Sequence, residues 1–178
     1  MSFKPIYWFH ENIKLDQEQI QNLITEIDNI NLKKFKNNNN NHKSTFFTPD
    51  ERPEDVLNDL YAGIIEKITK NVGIWNKIKY KYSYWAQLYD KNMSHCPHHH
   101  ASMEMNEIIS WVHFLNVPKQ KCFQFTDTMG SVFVPEEQNA GDIICFPAWV
   151  WHEVLPNNSN DKRLVISGNI FAKHYDIK

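Results

Sequence analysis

Apolar residues recur at helical spacing in the first half of the chain and predict two helices. In the first, Asp16 is a candidate N-cap with Gln19 three residues later, as in a capping box. Its apolar positions are Ile20, Leu23, Ile24 and Ile27. The second begins at Pro53, and its apolar stripe consists of Leu57, Leu60, Ile64 and Ile68. Gly73 lies just past its expected end. Between them, the run Asn37–Asn41 disfavours regular structure and predicts a surface loop.

From Lys77 onward the period changes to two, which predicts strands. In the first of them, Tyr80, Tyr82 and Tyr84 alternate with polar residues. Turn residues separate the further expected strands, which are Glu107–Val117, Cys122–Thr126, Ser131–Val134, Asp142–Phe146 and Arg163–Phe171. Two helices followed by many short strands predict a sheet sandwich or barrel with the helices packed outside.

Length and composition fit one domain with a packed interior. The chain has 178 residues, of which 42% are hydrophobic and 13% aromatic. We expect a single domain over 1–178, with helical support over 1–76 and a β core over 77–172. The formal net charge of −2 provides no positive field for a phosphate backbone and argues against nucleic-acid binding. Three cysteines without a CxxC pair indicate reduced thiols and a cytoplasmic protein, and neither a signal peptide nor a membrane span is predicted.

A run of histidines carries the most specific chemical pattern. On an extended strand the side chains alternate between faces, so His98 and His100 project to one side and His99 to the other. The third ligand of a metal site is expected from His152, which lies beyond the strand that Gly141 begins. Imidazole binds Fe, Zn, Cu and Ni alike, so these residues by themselves leave the metal open.

Three motifs of the C-terminal half resemble those of the 2-oxoglutarate/Fe(II) oxygenases, in particular a bacterial and phage group of the prolyl-hydroxylase-like branch. They are H-x-H at His98–His100, G…F-P-A-W-x-x-H at Gly141–His152, and R-x-x-x-S-x-N at Arg163–Asn169. The resemblance covers about Trp85 to Phe171. It implies a double-stranded β-helix (jelly roll) and a dioxygenase, by default a hydroxylase. The implied cofactors are Fe(II) and 2-oxoglutarate, with ascorbate as an auxiliary reductant.

The same resemblance implies roles for the metal ligands. His98 and His152 correspond to iron ligands of the family. His100 stands where most members carry Asp or Glu, which complete a two-histidine-one-carboxylate triad. Three neutral histidines would leave the site more positive, and Glu104 is the alternative third ligand.

It also implies residues for the cosubstrate. Arg163 corresponds to the arginine that binds the distal carboxylate of 2-oxoglutarate, a task suited to the planar guanidinium. Ser167 and Asn169 share its face of the strand by alternation and are expected beside the cosubstrate. Tyr89 matches the first tyrosine of the prolyl-hydroxylase-like pattern Y-x-x-G-x-x-Y-x-x-H-x-D and is expected there too.

Two rival functions remain open at this point. His98, His100 and Glu104 also match the first cupin motif, H-x-H-x₃-E, which would give a dioxygenase or isomerase without 2-oxoglutarate. A non-enzymatic jelly-roll binding module is the other rival. Arg163 discriminates, because a cupin does not need it. The substrate, a small molecule or a peptide, would be selected by loops such as Lys33–Phe47 and Lys119–Glu137, and the oligomeric state is undetermined.

Overall fold

Ten strands and two α-helices make up the part of the chain that the structure, a computed structural model, describes: residues 3–30, 42–48, 50–72, 79–101 and 106–172. The helices are α1 (Gln17–Asn29) and α2 (Asn58–Asn71). The strands are β1 (Trp8–Asn12), β2 (Lys43–Ser44), β3 (Tyr80–Tyr89), β4 (His95–His98), β5 (Glu107–Asn116), β6 (Phe123–Thr126), β7 (Val132–Phe133), β8 (Asp142–Pro147), β9 (His152–Val154) and β10 (Arg163–Ala172).

The strands form two antiparallel sheets. The larger sheet has the order β1-β8-β5-β10-β3-β2, and the smaller has the order β4-β9-β6-β7. The fold is therefore mainly β with two helices, as predicted, and consistent with a jelly-roll oxygenase fold. Each of the strands expected from Glu107 onward is present to within one or two residues, whereas β1, β2 and β9 were not predicted as strands.

Both helices follow their sequence signals. The Asp16 side chain caps α1 by accepting a hydrogen bond from the backbone N–H of Gln19 at 2.9 Å. The second helix starts later than predicted, because Pro53–Leu57 forms a 3₁₀ turn and the α-helix begins only at Asn58. A 3₁₀ turn is a common way to enter a helix. The buried apolar residues of α2 include Ile64 and Ile68, as predicted.

The apolar faces of both helices and of the larger sheet meet in one core. Ile27 of α1, Ile64 of α2 and Trp111 of β5 are all essentially inaccessible to solvent and belong to the same cluster. A second cluster, with Phe114, Phe123 and Phe146, lies between the two sheets. The helices therefore stiffen one face of the larger sheet, and its other face is free to carry side chains towards the smaller sheet.

Gly168 is needed where β10 passes Trp111. A Cβ at this position would lie 2.5 Å from the indole ring and 2.7 Å from the Ser83 carbonyl oxygen. We expect Gly168→Ala to destabilise the protein by about 1–3 kcal/mol through overpacking. At roughly 2–4 °C per kcal/mol for a chain of this size, thermal unfolding should detect it.

Gly63 provides the matched control for that substitution. Its Cβ would meet nothing within 4 Å, and it lies inside α2. Gly63→Ala should therefore stabilise the helix by up to about 1 kcal/mol. Equal melting temperatures for Gly168→Ala and the wild-type protein would contradict the packing argument.

Some predictions fall outside the described residues: the Asn37–Asn41 loop, Gly73 at the end of the second helix, Lys77, and the alternative ligand Glu104. All three cysteines, Cys96, Cys122 and Cys145, are free thiols. Neither described helix has the length and apolar character required to cross a membrane.

Candidate functional site

Three histidines converge where the two sheets face each other. His98 ends β4, His152 begins β9, and the two are register partners across the antiparallel pair. His100 follows two residues after His98, and one ligand nitrogen from each of the three lies within 4.8 Å of the others. His99 points away and packs against the Trp151 ring at 4.7 Å between centroids. The alternation predicted from the sequence is therefore present.

Oxygen acceptors fix the orientation of each imidazole. The Nδ1 atom of His98 lies 2.9 Å from the Cys96 carbonyl oxygen, and the Nδ1 atom of His152 lies 3.0 Å from the Val150 carbonyl oxygen. In His100, Nδ1 lies 2.7 Å from Oδ1 of Asn169. Because these oxygens only accept, each Nδ1 carries the proton. The three Nε2 atoms therefore keep free lone pairs, the tautomer that a metal requires.

Burial keeps the three rings neutral. Burial and the neighbouring His100 lower the pKa of His98 to about 4. Burial also lowers the pKa of His100, and it lowers that of His152 well below the ordinary value, with His98 and His100 adding to the effect. At neutral pH no proton therefore competes with a metal ion for the three Nε2 lone pairs.

Asn169 holds His100, a contact that sequence reasoning did not anticipate. Its Oδ1 accepts from His100 Nδ1 and, at 2.8 Å, from the Ser110 hydroxyl. We expect Asn169→Ala to weaken Mn(II) or Co(II) binding about 10–100-fold, because the acceptor that orients the ring is lost. Asn169→Asp keeps an acceptor and should restore most of the affinity. Unchanged metal affinity in the Asn169→Ala variant would rule out this role. The expected contact of Asn169 with the cosubstrate stays a prediction.

Arg163 is a buried cation with no hydrogen-bonded counter-ion among the described residues. It is 1% exposed at the start of β10, and among the described residues no carboxylate pairs with it; the neutral Tyr89 hydroxyl interacts with it, but neither Nη atom has a hydrogen bond of good geometry. The guanidinium lies between two aromatic rings, 5.0 Å from the centroid of Tyr89 and 5.7 Å from that of Phe114. Burial lowers its pKa, but a guanidinium stays charged at neutral pH. Such a charge is costly to bury alone, so this position is suited to an anion.

An inner cleft connects Arg163 with the three histidines. Its volume is about 20 Å³, and it is lined by residues that include His98, His152, Arg163 and Ser167. The Ser167 hydroxyl donates to Oε1 of Gln87 at 2.9 Å on the same wall. A hydroxyl and a guanidinium from β10 therefore line the same cleft as the three histidines. Tyr89 contributes the ring that packs against Arg163.

A closed network of four charges lies next to this cleft. Lys43 and Lys162 each pair with both Asp28 and Asp90; the Asp90 contacts measure 3.1 and 3.0 Å. Three members directly adjoin buried residues of the site: Lys43 follows His42, Asp90 follows Tyr89, and Lys162 precedes Arg163. The network therefore ties α1, β2, β3 and β10 together at the arginine end of the cleft.

Breaking this network should loosen the arginine end of the cleft. We expect Lys162→Met to weaken 2-oxoglutarate binding roughly two- to fivefold, since a partly exposed ion-pair network contributes about 1 kcal/mol or less. Isothermal titration of the metal-loaded protein measures this effect. Lys70→Met, which breaks the exposed pair with Glu66, is the control. If both variants bind 2-oxoglutarate equally well, the network does not position Arg163.

A larger outer pocket of about 280 Å³ is lined by His98 and His100 but not by His152. The two compartments share five lining residues: Trp85, Gln87, His95, His98 and His100. His95 stacks on His98 at 3.9 Å and lies 4.4 Å from His42, which in turn stacks on Tyr89. His42 was missed, because a histidine after an asparagine run has no pattern that indicates a pocket.

Comparison with known proteins gives a family match over part of the chain and fold matches over most of it. A family model described as 2OG-Fe(II) oxygenase matches residues 124–169, the segment that contains His152 and Arg163. No protein with a curated description matches the sequence. A Pseudomonas putida prolyl-4-hydroxylase superposes with a TM-score of 0.67 at 16% identity, covering 94% of this chain and 93% of that one.

Two further solved structures have the same fold. A Trichoplax adhaerens prolyl hydroxylase, in complex with a hypoxia-inducible-factor peptide fragment, has a TM-score of 0.65 at 14% identity, covering 93% of this chain and 83% of its own. A viral collagen prolyl hydroxylase from Paramecium bursaria Chlorella virus-1 has a TM-score of 0.55 at 18% identity, covering 94% and 96%. The chain therefore has the fold of these prolyl hydroxylases, and the segment that contains His152 and Arg163 is similar to the 2OG-Fe(II) oxygenase family.

Proposed function

We propose that the chain is an Fe(II)- and 2-oxoglutarate-dependent dioxygenase in which His98, His100 and His152 hold the iron through Nε2. One observation carries the proposal: a buried guanidinium, which has no hydrogen-bonded anion in the described part of the chain, shares a cleft with three imidazoles whose Nδ1 atoms already have acceptors. The three Nε2 atoms are suitable ligands for a divalent transition metal, and the Arg163 guanidinium is suited to bind a carboxylate.

Arg163 would bind the distal carboxylate of 2-oxoglutarate. Its planar fork can donate two parallel hydrogen bonds, and the rings of Tyr89 and Phe114 hold the guanidinium in place. The Ser167 hydroxyl, four residues along the same strand, lines the cleft and can turn from Gln87 to the cosubstrate. The opposite end of the cosubstrate would then face the three histidines.

When bound, Fe(II) and 2-oxoglutarate supply the oxidation, in which the decarboxylation of 2-oxoglutarate to succinate and CO₂ is coupled to substrate oxidation by O₂. The protein contributes orientation and exclusion of water. Phe123 and Phe146 line the cleft beside the histidines and keep its wall apolar. Electrostatic interactions with the bound groups are stronger in such an environment than in water.

Further features belong to the same proposal. We infer that the two sheets form a jelly roll, and that 1–178 is one domain in which the N-terminal helices support the core. The substrate is a peptide or a small molecule, ascorbate is an auxiliary reductant, and the cytoplasm, where thiols are reduced, is the expected compartment. The solved neighbours include prolyl hydroxylases and an epimerase from nogalamycin biosynthesis, which leaves both substrate types open.

A cupin without 2-oxoglutarate is the rival. Its motif needs Glu104, which lies outside the described residues, and it does not need a buried arginine in the cleft. Arg163, which has no anionic partner among the described residues, and the family match over its segment favour the oxygenase.

Succinate formation tests the proposal. Purified protein with Fe(II), 2-oxoglutarate and ascorbate should form succinate slowly even without its substrate, and His152→Ala should form none. His99→Ala, next to two of the ligands but outside the cluster, is the matched control. If the wild-type protein neither forms succinate nor binds 2-oxoglutarate when metal-loaded, the function is that of a cupin or a binding module.

A further inference from the structure

We propose that the outer pocket binds the part of the substrate that is oxidised, and that this part is a neutral, apolar group. The inference rests on the proposed function above, because it takes the inner cleft as the cosubstrate site. His98 and His100 line both compartments, whereas Arg163 and Ser167 line only the inner one. A second molecule can therefore reach the metal ligands from the outer pocket without passing the arginine.

Aromatic side chains form the wall of this pocket, and the group between them must suit their surface. Phe46 packs edge to face on Trp85 at 5.0 Å and on Phe47 at 4.9 Å. Phe171 adds a further ring to the lining. Trp85 also lies 5.8 Å from His100, so the aromatic wall reaches the metal ligands.

Phe46 and Phe47 are exposed at the pocket mouth. They are 55% and 57% accessible to solvent, although the burial of large aromatic side chains away from water is energetically favourable. Both belong to the 3₁₀ turn Thr45–Phe47, which follows β2 on the edge of the larger sheet. An apolar group seated against the two rings would cover this surface.

A charged group fits this pocket less well than a neutral one. Glu107 is the only Asp, Glu, Lys or Arg among the described residues that line the pocket, and its carboxylate acts on His100. An anionic group would be repelled by Glu107. Glu107 would attract a cationic group, but such a group would lose its hydration against the apolar wall and would add a positive charge near Lys81, whose Nζ lies 5.4 Å from the Phe171 ring centroid. A neutral group enters without an unpaired charge, which is costly against an apolar wall.

Paramagnetic relaxation tests this without turnover. The protein is loaded with Mn(II) and saturating 2-oxoglutarate, and three probes of similar size are added: the N-acetyl amides of leucine, lysine and glutamate. The leucine methyl protons should relax several-fold faster than the side-chain protons of the other two. Phe46→Ala and, separately, Phe47→Ala should weaken leucine-probe binding about tenfold. Because both rings are largely exposed, their truncation removes few folding contacts.

The control variant is Phe9→Ala, which removes another exposed phenylalanine, on β1, that lines neither compartment. It should relax the leucine probe as the wild-type protein does. The inference would be overturned if the lysine or glutamate probe relaxed faster than the leucine probe. It would also be overturned if both pocket variants bound the leucine probe as tightly as the wild-type protein. Failure of the Mn(II)-loaded wild-type protein to bind 2-oxoglutarate would instead contradict the proposed function, so the two failures are distinguishable.

Discussion

Arg163→Met should bind 2-oxoglutarate at least about thirtyfold more weakly than the wild-type protein and yet unfold at a higher temperature in the absence of ligands. The loss of affinity follows because a desolvated, charge-assisted pair is worth about 2–5 kcal/mol when one partner is removed. The gain in stability follows because the guanidinium is 1% exposed, and its Nη atoms have no partner among the described residues. Methionine removes that unpaired buried charge at similar volume.

Thermal unfolding with and without 2-oxoglutarate measures both effects in one protein. The metal-loaded wild-type protein should gain stability with rising 2-oxoglutarate concentration, whereas the variant should not. Arg163→Lys keeps the charge but loses the planar fork, and an intermediate affinity is expected. Mn(II) affinity should remain near the wild-type value in both variants. A 2-oxoglutarate affinity of Arg163→Met equal to that of wild type would remove this residue from the cosubstrate site.

His100→Ala should lower Mn(II) affinity at least about a hundredfold, since one of three protein ligands is lost. His100→Asp should restore Mn(II) binding and change the metal preference. A carboxylate is a harder, charged donor than imidazole, so affinity for Mn(II) and Fe(II) should rise relative to Ni(II) by roughly tenfold. Asn169 can rotate its amide to donate to the new carboxylate. Competition between Mn(II) and Ni(II), followed by electron paramagnetic resonance, measures the ratio.

The neighbouring residues serve as controls for His100. His99→Ala should leave Mn(II) affinity unchanged, because that ring packs on Trp151 instead. Glu104→Gln tests the alternative third ligand and should likewise have no effect. Loss of Mn(II) binding in Glu104→Gln together with normal binding in His100→Ala would show that the carboxylate, and not the imidazole, completes the triad.

The local elements were predictable because their causes are local. A cap acts on the backbone three residues away, which is why Asp16 and Gln19 predict the start of α1. Alternation likewise fixes which side chains share a face, and it predicted that His98 and His100 would point together and His99 away. The missed strands β1, β2 and β9 have only two to five residues, too few for a period to be detected.

The sequence by itself determined the spacing of the candidate ligands His98, His100 and His152, and through the resemblance it predicted the role of Arg163. Only the tertiary structure decided what surrounds them. The pairing of His98 with His152 across β4 and β9, the contact of Asn169 with His100, and the approach of His42 to Tyr89 each join residues more than forty positions apart. No local pattern encodes such contacts. They arise when the two sheets bury their facing sides together, and that burial both fixes the imidazoles and leaves Arg163 in need of an anion.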